Sequence, residues 1–526
     1  MRIAIGLIVC IAACSQPSKQ TTAPSAPLPP ESAVYGRYIV LGASPAGATV
    51  ALARAIVAPD AACPRVRGPQ QANMSERANP HGFAVKVCEA VVPFETALAL
   101  EVASADGDAA ATLSLPTVSK NASRILIVGD TGCKESDCAA GTPAQPFAEL
   151  AANAAKQAPD VILHMGDFNY RGTGSKIQVT VDGNTTEQWS YDAGDGQTED
   201  ENCGQAPTSG FFSQNAPGSS PRDNWDAWRD DFFSAAGELL WAAPWVLARG
   251  NHELCSRAGP GWFYFLDPSS NLVQPGSQRQ CPIPNVTGDV TGNPIQSVVL
   301  TEPYRVDLGS LQLIVVDSAN ACDAFVTPAM SDFTSNYAQQ FAAVGKLAAE
   351  DSGPAWLMTH RPMWGVQSYA AGTTTGCSAD NQLSCINQVM QASLETSLAG
   401  SLPANIELSL AGHMHHFQAL TFPSSPRPPQ LIVGNGGVEL STDGPQGTFE
   451  ATVQTLSAQG FAIGTSVTTS SGSMSGHGFL DVSYQPDGTW SGKLVSTSPD
   501  VVLATCGSAQ AQAGAVCALA AGVSIP

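Results

Sequence analysis

The sequence predicts an α/β fold in which buried strands deliver polar residues to one end of a sheet, preceded by a small all-β region. Three observations carry this. Apolar runs rich in β-branched residues, such as Ile125 to Val128, Val161 to Leu163 and Ile406 to Leu410, each lead into a glycine and then a polar residue. Segments with helical spacing, from Gln145 to Gln157, Asn224 to Leu240, Asn336 to Glu350 and Cys385 to Leu398, separate such runs. Strands covered on both faces place their chemistry just beyond their carboxyl ends, and that is where the polar residues stand.

At 526 residues the chain exceeds one ordinary core, so two folded units, or one large domain with an appendage, are expected. Its 45 acids against 24 Lys plus Arg argue against a nucleic-acid partner. Small anions stay open, because metal ions can reverse the field locally. At the amino terminus Arg2 precedes an apolar run, Ile3 to Ile11, and Ile11-Ala12-Ala13-Cys14 puts two small residues before a cysteine. This resembles a bacterial lipoprotein signal, which implies removal of residues 1–13 and a lipid on Cys14; an ordinary secretory signal is the alternative. The apolar run is too short to span a bilayer, so membrane contact is expected only through the anchor at Cys14. Residues 14–34 then read as a flexible tether, and Ser15, with no Asp there, points by the same resemblance to the outer membrane.

Apart from Cys10 and Cys14, twelve cysteines remain without a CxxC pair, which favours disulfides in an oxidising compartment. Spacing suggests Cys63 with Cys88, Cys133 with Cys138, Cys377 with Cys385, and Cys506 with Cys517; Cys203, Cys255, Cys281 and Cys322 leave three connectivities.

In chain order, residues 35–119 predict a small β domain, a sandwich whose only histidine, His81, is incidental. Residues 120–505 form the main domain, and 506–526 an Ala-rich tail. Its first strand ends in Gly129-Asp130-Thr131-Gly132, and the next in Gly166-Asp167-Phe168-Asn169-Tyr170. The interruption 171–223 reads as an excursion over the rim of the site; its acids from Asp192 to Glu201 lack the spacing of a calcium loop and read as a solvated face. Pro244 to Ala248 leads to Gly250-Asn251-His252-Glu253, and a hairpin turning at Gly309 comes next. Ala355 to Thr359 delivers His360 and Arg361, and Ile406 to Leu410 ends in Gly412-His413-Met414-His415. Leu431 to Val433, Gly478 to Tyr484 and Gly492 to Leu494 are expected to close a second sheet.

Five of the eight histidines, His252, His360, His413, His415 and His416, therefore stand at the ends of three predicted strands. Taken singly, Asp130 could cap a helix and Tyr170 could be a packed aromatic, but such roles do not explain five strand ends converging on one pattern. The ordered blocks GDTG, GDFNY, GNHE, the His of MTHRP, and GHMH resemble those of the calcineurin-like metallophosphoesterases, in the variant found in purple acid phosphatases, over roughly Arg124 to Gly437.

That resemblance implies a four-layer α/β/β/α sandwich with a binuclear site. One metal would sit on Asp130, Asp167, Tyr170 and His415, and the second on Asp167, Asn251, His360 and His413, with Asp167 bridging. Ferric iron favours carboxylate and phenolate oxygens, while a divalent partner (Zn, Mn or Fe) accepts imidazoles and an amide oxygen. The first block reads DTG where many relatives place a His two residues after the Asp, an absence that Tyr170 should compensate. Two such ions can clamp a phosphate ester and generate hydroxide for in-line attack. His252 would protonate the leaving group, Glu253 would orient His252, and Arg361 would contact phosphate or pair with a structural acid. His164, His416 and His477 read as structural, and Cys133 with Cys138 as a stay for the first ligand loop. The expected activity is hydrolysis of small phosphate monoesters. A phosphodiesterase with the same site, or a surface-anchored metal-binding protein with little turnover, are the alternatives.

Overall fold

Successive side chains on a strand point to opposite faces, so the two parities of a buried strand reveal what covers each face. The computed structural model describes residues 28–69, 71–103, 110–132, 146–170, 176–181, 184–189, 223–254, 258–281, 300–321, 331–365, 388–422, 426–440, 467–469, 476–498, 501–512 and 514–520. The signal segment, most of the 171–223 interruption with its acid run, and the expected Cys133–Cys138 and Cys377–Cys385 pairs lie outside the described residues.

Arg124–Val128, Val161–His164 and Trp245–Leu247 run parallel, with Val161 opposite Ile125 and Ile162 opposite Trp245. Ile125, Ile127, Val161, Leu163 and Val246 face a second sheet; Leu126, Val128, Ile162 and Trp245 face helices. The second sheet has seven strands and is built on parallel Gln312–Val315, Ala355–Met358, Ile406–Ala411 and Gln430–Val433. Its Leu313, Trp356, Met358, Leu410 and Val433 meet the first sheet, while Ile314 and Leu357 pack on Tyr337, Phe341, Met390 and Leu394 of the helices Ser331–Glu350 and Gln388–Leu398. The helix Pro146–Ala155 and the helical turns of 225–241 cover the outer face of the first sheet through Phe147, Leu150, Trp228 and Phe232. The layers are therefore α/β/β/α, and each buried side chain of this size contributes about 1.5–3 kcal/mol.

Three features depart from the sequence expectation. The helix predicted over 224–240 runs from Trp225 to Ala236, with a wider π turn over Arg229–Phe233; it is capped by Asn224 Oδ1 accepting from Ala227 N at 2.9 Å and stops short of the expected end, broken by Gly237 at φ 50°. The N-terminal β region is present but is not a sandwich of its own. Its strands Val34–Ala43, Thr49–Val57, Lys86–Val92 and Ser75–Glu76 belong to the first sheet, which has eleven strands in all, joining it where Val40 lies opposite Trp245, and the region's other four strands form a separate sheet. Both faces of Val34–Ala43 are buried, Ile39 and Leu41 between the sheets and Tyr38 and Val40 under the helices, which a small detached sandwich could not provide. Buried Arg54 and Arg77 share Glu89 at 3.4 and 2.5 Å, and donate to the carbonyls of Phe265 and Phe263, fastening this region to the main domain. Lastly, Gly478–Tyr484 and Trp490–Ser496 do not close the second sheet. They continue the first, with Leu480 opposite Ile127, and so cover an otherwise open edge of Arg124–Val128.

The hairpin Tyr304–Asp307 with Gln312–Val315 forms as expected, with Gly309 at φ 86° in its turn. Disulfides join Cys63 to Cys88 and Cys506 to Cys517, and Cys281 is also disulfide-bonded. Among the described residues no helix is long and apolar enough to cross a membrane.

Candidate metal centre

All five strand ends open onto one site where the carboxyl ends of the two sheets meet. The first sheet supplies Asp130, Asp167, Tyr170, Asn251 and His252; the second supplies His360, Arg361, His413 and His415. The loops interlock at backbone level. Asp130 N donates to Gly166 O at 2.9 Å, Gly412 N to His360 O at 2.9 Å, and His413 N to Asp130 Oδ2 at 2.9 Å. Such approach needs glycine: a Cβ at Gly250 would run into Asp167, and one at Gly412 into Asp130 Oδ2. Four of the residues carrying ligand groups are held in left-handed backbone, Asp130 at φ 56°, Asp167 at 59°, His413 at 75° and His415 at 47°. Residues without glycine's freedom adopt that region at a cost, and the surrounding structure must impose it.

Two groups of side chains converge. Asp130, Asp167 and His415 form one, and Asp167, His360 and His413 the other, the candidate ligand atoms of each lying within 4.8 Å of one another. Tyr170 Oη joins the first, 3.0 Å from Asp130 Oδ1, 2.9 Å from Asp167 Oδ2 and 3.0 Å from His415 Nε2. Asn251 Oδ1 joins the second, 2.9 Å from both His360 Nε2 and His413 Nδ1. Asp167 is the residue common to both.

The hydrogen-bonding capacity of these groups fits a cation. The Tyr170 hydroxyl has one proton for two carboxylate oxygens. His360 donates from Nδ1 to Met165 O at 2.7 Å, which leaves the Nε2 lone pair of the neutral ring aimed at Asn251 Oδ1 and, at 3.3 Å, at Asp167 Oδ2. Acceptors facing acceptors require a shared proton or a metal ion, and the Nδ1 bond to a carbonyl is the contact that commonly orients a ligand imidazole. Electrostatics agree. Burial, then the Asp130 and Asp167 carboxylates, drive the Tyr170 phenol well above its ordinary pKa. Burial and neighbouring Asp167 raise the Asp130 carboxyl well above the usual range. Burial would also raise Asp167, but the His360 imidazole holds it well below. Burial alone would lower His360, yet the Asp167 carboxylate lifts it to about 9. Bound cations take over the role of those protons.

The calcineurin-like phosphoesterase sequence model matches residues 123–417, more than half of the chain and all five strand ends. The chain belongs to the calcineurin-like phosphoesterases. No curated protein matches it in sequence. Among solved structures it is similar to a purple acid phosphatase isolated from yellow lupin (Lupinus luteus) seeds, with TM-score 0.45 and 14% identity over 89% of this chain and 73% of that one. It is also similar to GAP50, the anchor in the inner membrane complex of Plasmodium, with TM-score 0.35 and 11% identity over 73% of this chain and 88% of that one.

In this phosphoesterase Glu253 does not serve as the expected orienter of His252. It is fully buried, and its carboxylate accepts four backbone N–H bonds, from Asp167 at 3.1, Phe168 at 2.8, Asn169 at 3.1 and Gly250 at 3.0 Å. Four bonds saturate a carboxylate, so Glu253 locks the Asp167 loop to the Asn251 loop. Burial and the Asp167 charge push its pKa up to about 8, and the N–H donors of Phe168 and Asn169 oppose this. Above that pH, where the ionised group offers both oxygens to the donors, Glu253→Gln places an amide group against some of them and should lower unfolding free energy by about 2–5 kcal/mol in chemical denaturation. Unchanged stability would mean that the carboxyl is protonated rather than four-fold bonded.

His252 itself lies at the half-buried mouth, its ring centroid 4.1 Å from that of Tyr170 and its backbone N–H donating to Asp167 Oδ1 at 2.9 Å. Arg361 is buried, with Nη1 3.1 Å from His413 Nε2, beside the residues of the second group. His164 is a structural bridge: it accepts Gly166 N–H at Nδ1, so Nε2 donates to Thr131 Oγ1 at 2.8 Å, and its ring stacks on Phe168 at 3.8 Å. His477 meets Val438 O at 2.8 Å, remote from the five strand ends in sequence and buried. Sequence reasoning missed Asp231, whose Oδ2 accepts Tyr170 N at 3.1 Å, and Ser318, whose Oγ accepts both His360 N at 2.9 Å and Arg361 N at 2.8 Å. The signal for Ser318 was available: it stands just beyond an apolar strand, as the ligand blocks do.

Proposed function

We propose that this phosphoesterase hydrolyses small phosphate monoesters in the manner of a purple acid phosphatase. In this reading Fe3+ is held by Asp130, Asp167, Tyr170 and His415, and a divalent ion (Zn, Mn or Fe) by Asp167, Asn251, His360 and His413. The observation that carries it is the Tyr170 oxygen, buried and equidistant, at 2.9 to 3.0 Å, from Asp130, Asp167 and His415. A phenolate there matches a hard trivalent ion, whereas the amide and imidazoles of the other group match a softer divalent one.

When bound, two cations supply a clamp for the phosphate oxygens and activate water. The chain's own residues do the rest. Glu253 and Ser318 fix the ligand loops, and His252 presents an imidazole at the mouth, where a leaving oxygen can take its proton. The acids of the 171–223 interruption support small or uncharged-tailed esters over large polyanions. The N-terminal sequence and its even cysteine count support export with a lipid anchor at Cys14, on the outer membrane.

Metal analysis together with the visible spectrum tests the assignment. Roughly two metals per chain, one of them iron, with an absorption band that disappears in Tyr170→Phe, is the expected result. Two metals without that band would move Tyr170 out of the coordination sphere and favour manganese or zinc with diester substrates.

A further inference from the structure

Of the parallel strands that reach the site, Gln312–Val315 brings no residue of either ligand group. Its carboxyl end leads instead into a turn of buried polar residues, Asp317, Ser318 and Asn320, that binds both halves of the site. On one side Arg249, two residues before Asn251, reaches Asp317 through Nε to Oδ1 at 3.1 Å and Nη2 to Oδ2 at 2.9 Å; Nη2 also donates to Asn320 Oδ1 at 2.9 Å. The side chains of the ion pair are 1% and 2% exposed, and the guanidinium lies over the Phe263 ring, 5.4 Å from its centre. On the other side Ser318 Oγ takes the backbone N–H groups of His360 and Arg361. Asp317 is itself fixed by Thr301 N at 3.0 Å and Ala319 N at 3.2 Å.

Asn251 comes from the first sheet and His360 from the second, and their ligand atoms must meet at one ion. We propose that the Arg249–Asp317 pair, with Ser318, is a positioning clasp that sets Asn251 against His360 and thereby the affinity of the second metal site. The first group does not depend on it: Asp130 and Asp167 stand on adjacent strands of one sheet, and His415 joins the block that Asp130 holds through His413 N. A buried ion pair adds little net stability compared with apolar packing, and a fixed registry is its best-attested use. Two parallel bonds from one planar guanidinium define both distance and angle, which an ammonium cannot reproduce.

The inference rests on the binuclear reading of the site, and zinc titration of the metal-free full chain separates the two. Calorimetry with Zn2+ alone is run on wild type, Arg249→Lys and Ser318→Ala, with Asn251→Ala and His415→Ala marking which isotherm belongs to which site. Wild type should bind two zinc ions. Arg249→Lys should weaken the site of Asn251, His360 and His413 by roughly 10–100-fold while the other holds its affinity, and Ser318→Ala should shift the same site. Equal weakening of both sites with a lowered melting temperature, or two unchanged sites, would overturn the clasp while leaving the binuclear reading intact. A wild type that binds no zinc would overturn both. If Arg249→Lys does not fold, Asp317→Asn, which keeps the side-chain shape and its acceptor for Thr301 N, is held to the same outcomes.

Discussion

Asp167→Asn is expected to leave a folded protein that has lost both metals and, with them, hydrolysis by about 10³-fold or more, since several kcal/mol of charge stabilisation go with the ions. Asp167 alone belongs to both ligand groups. Its Oδ2 is 2.9 Å from Tyr170 Oη and 3.3 Å from His360 Nε2, while Oδ1 accepts the N–H of His252. An amide keeps the shape but removes the charge, and turns one of these contacts into a donor. Asn also tolerates the left-handed backbone at φ 59° better than most residues, so the substitution should not strain the loop. Without metal the variant should be less stable than wild type near neutral pH, because the Asp167 carboxylate, held well below its ordinary range by His360 and lifting His360 to about 9, contributes stability that the amide gives up. Metal analysis and thermal melting in chelator check the two halves. Retention of both ions by the variant would end the bridging assignment.

What the sequence made legible were the strands and their ends. Val161–His164 is buried on both faces, its β-branched run could hardly be anything else, and the Gly-Asp just beyond it is a local pattern. The convergence of Asp130, Asp167, Asn251, His360, His413 and His415 came from the same repeated signal. Residues that hold the ligands were harder to see, because they act on backbone groups. Nothing in Gly-Asn-His-Glu says that Glu253 will spend all its acceptor capacity on N–H groups, three of them more than eighty positions away in sequence, and adjacency made His252 the obvious partner instead. Strand pairing was equally opaque. Period-2 alternation shows that Gly478–Tyr484 is a strand with two faces, but its choice of Arg124–Val128 as neighbour depends on which edge is open in three dimensions. The same holds for Val34–Ala43, whose double burial only makes sense once Trp245–Leu247 lies beside it.

His252→Ala should separate chemistry from metal binding. The imidazole belongs to neither carboxylate–histidine group, and the loop that carries it is held by backbone contacts: His252 N to Asp167 Oδ1 and Ala258 N to His252 O at 3.0 Å. Removing the ring leaves those contacts and both ligand sets in place, so metal content should stay at the wild-type value. If His252 gives a proton to the departing oxygen, kcat should fall by about 10²–10⁴-fold for an alkyl phosphate, whose leaving group is strongly basic. The loss should shrink for aryl phosphates with acidic phenols, which depart without a proton. A loss of equal size across leaving groups would assign His252 to the phosphate oxygens instead, and a raised KM with unchanged kcat would place it in ground-state binding. The ring's contact with Tyr170, 4.1 Å between centroids, adds a control: if the visible band shifts in the variant, part of the effect passes through the metal site, and only the dependence on leaving group then isolates the proton transfer.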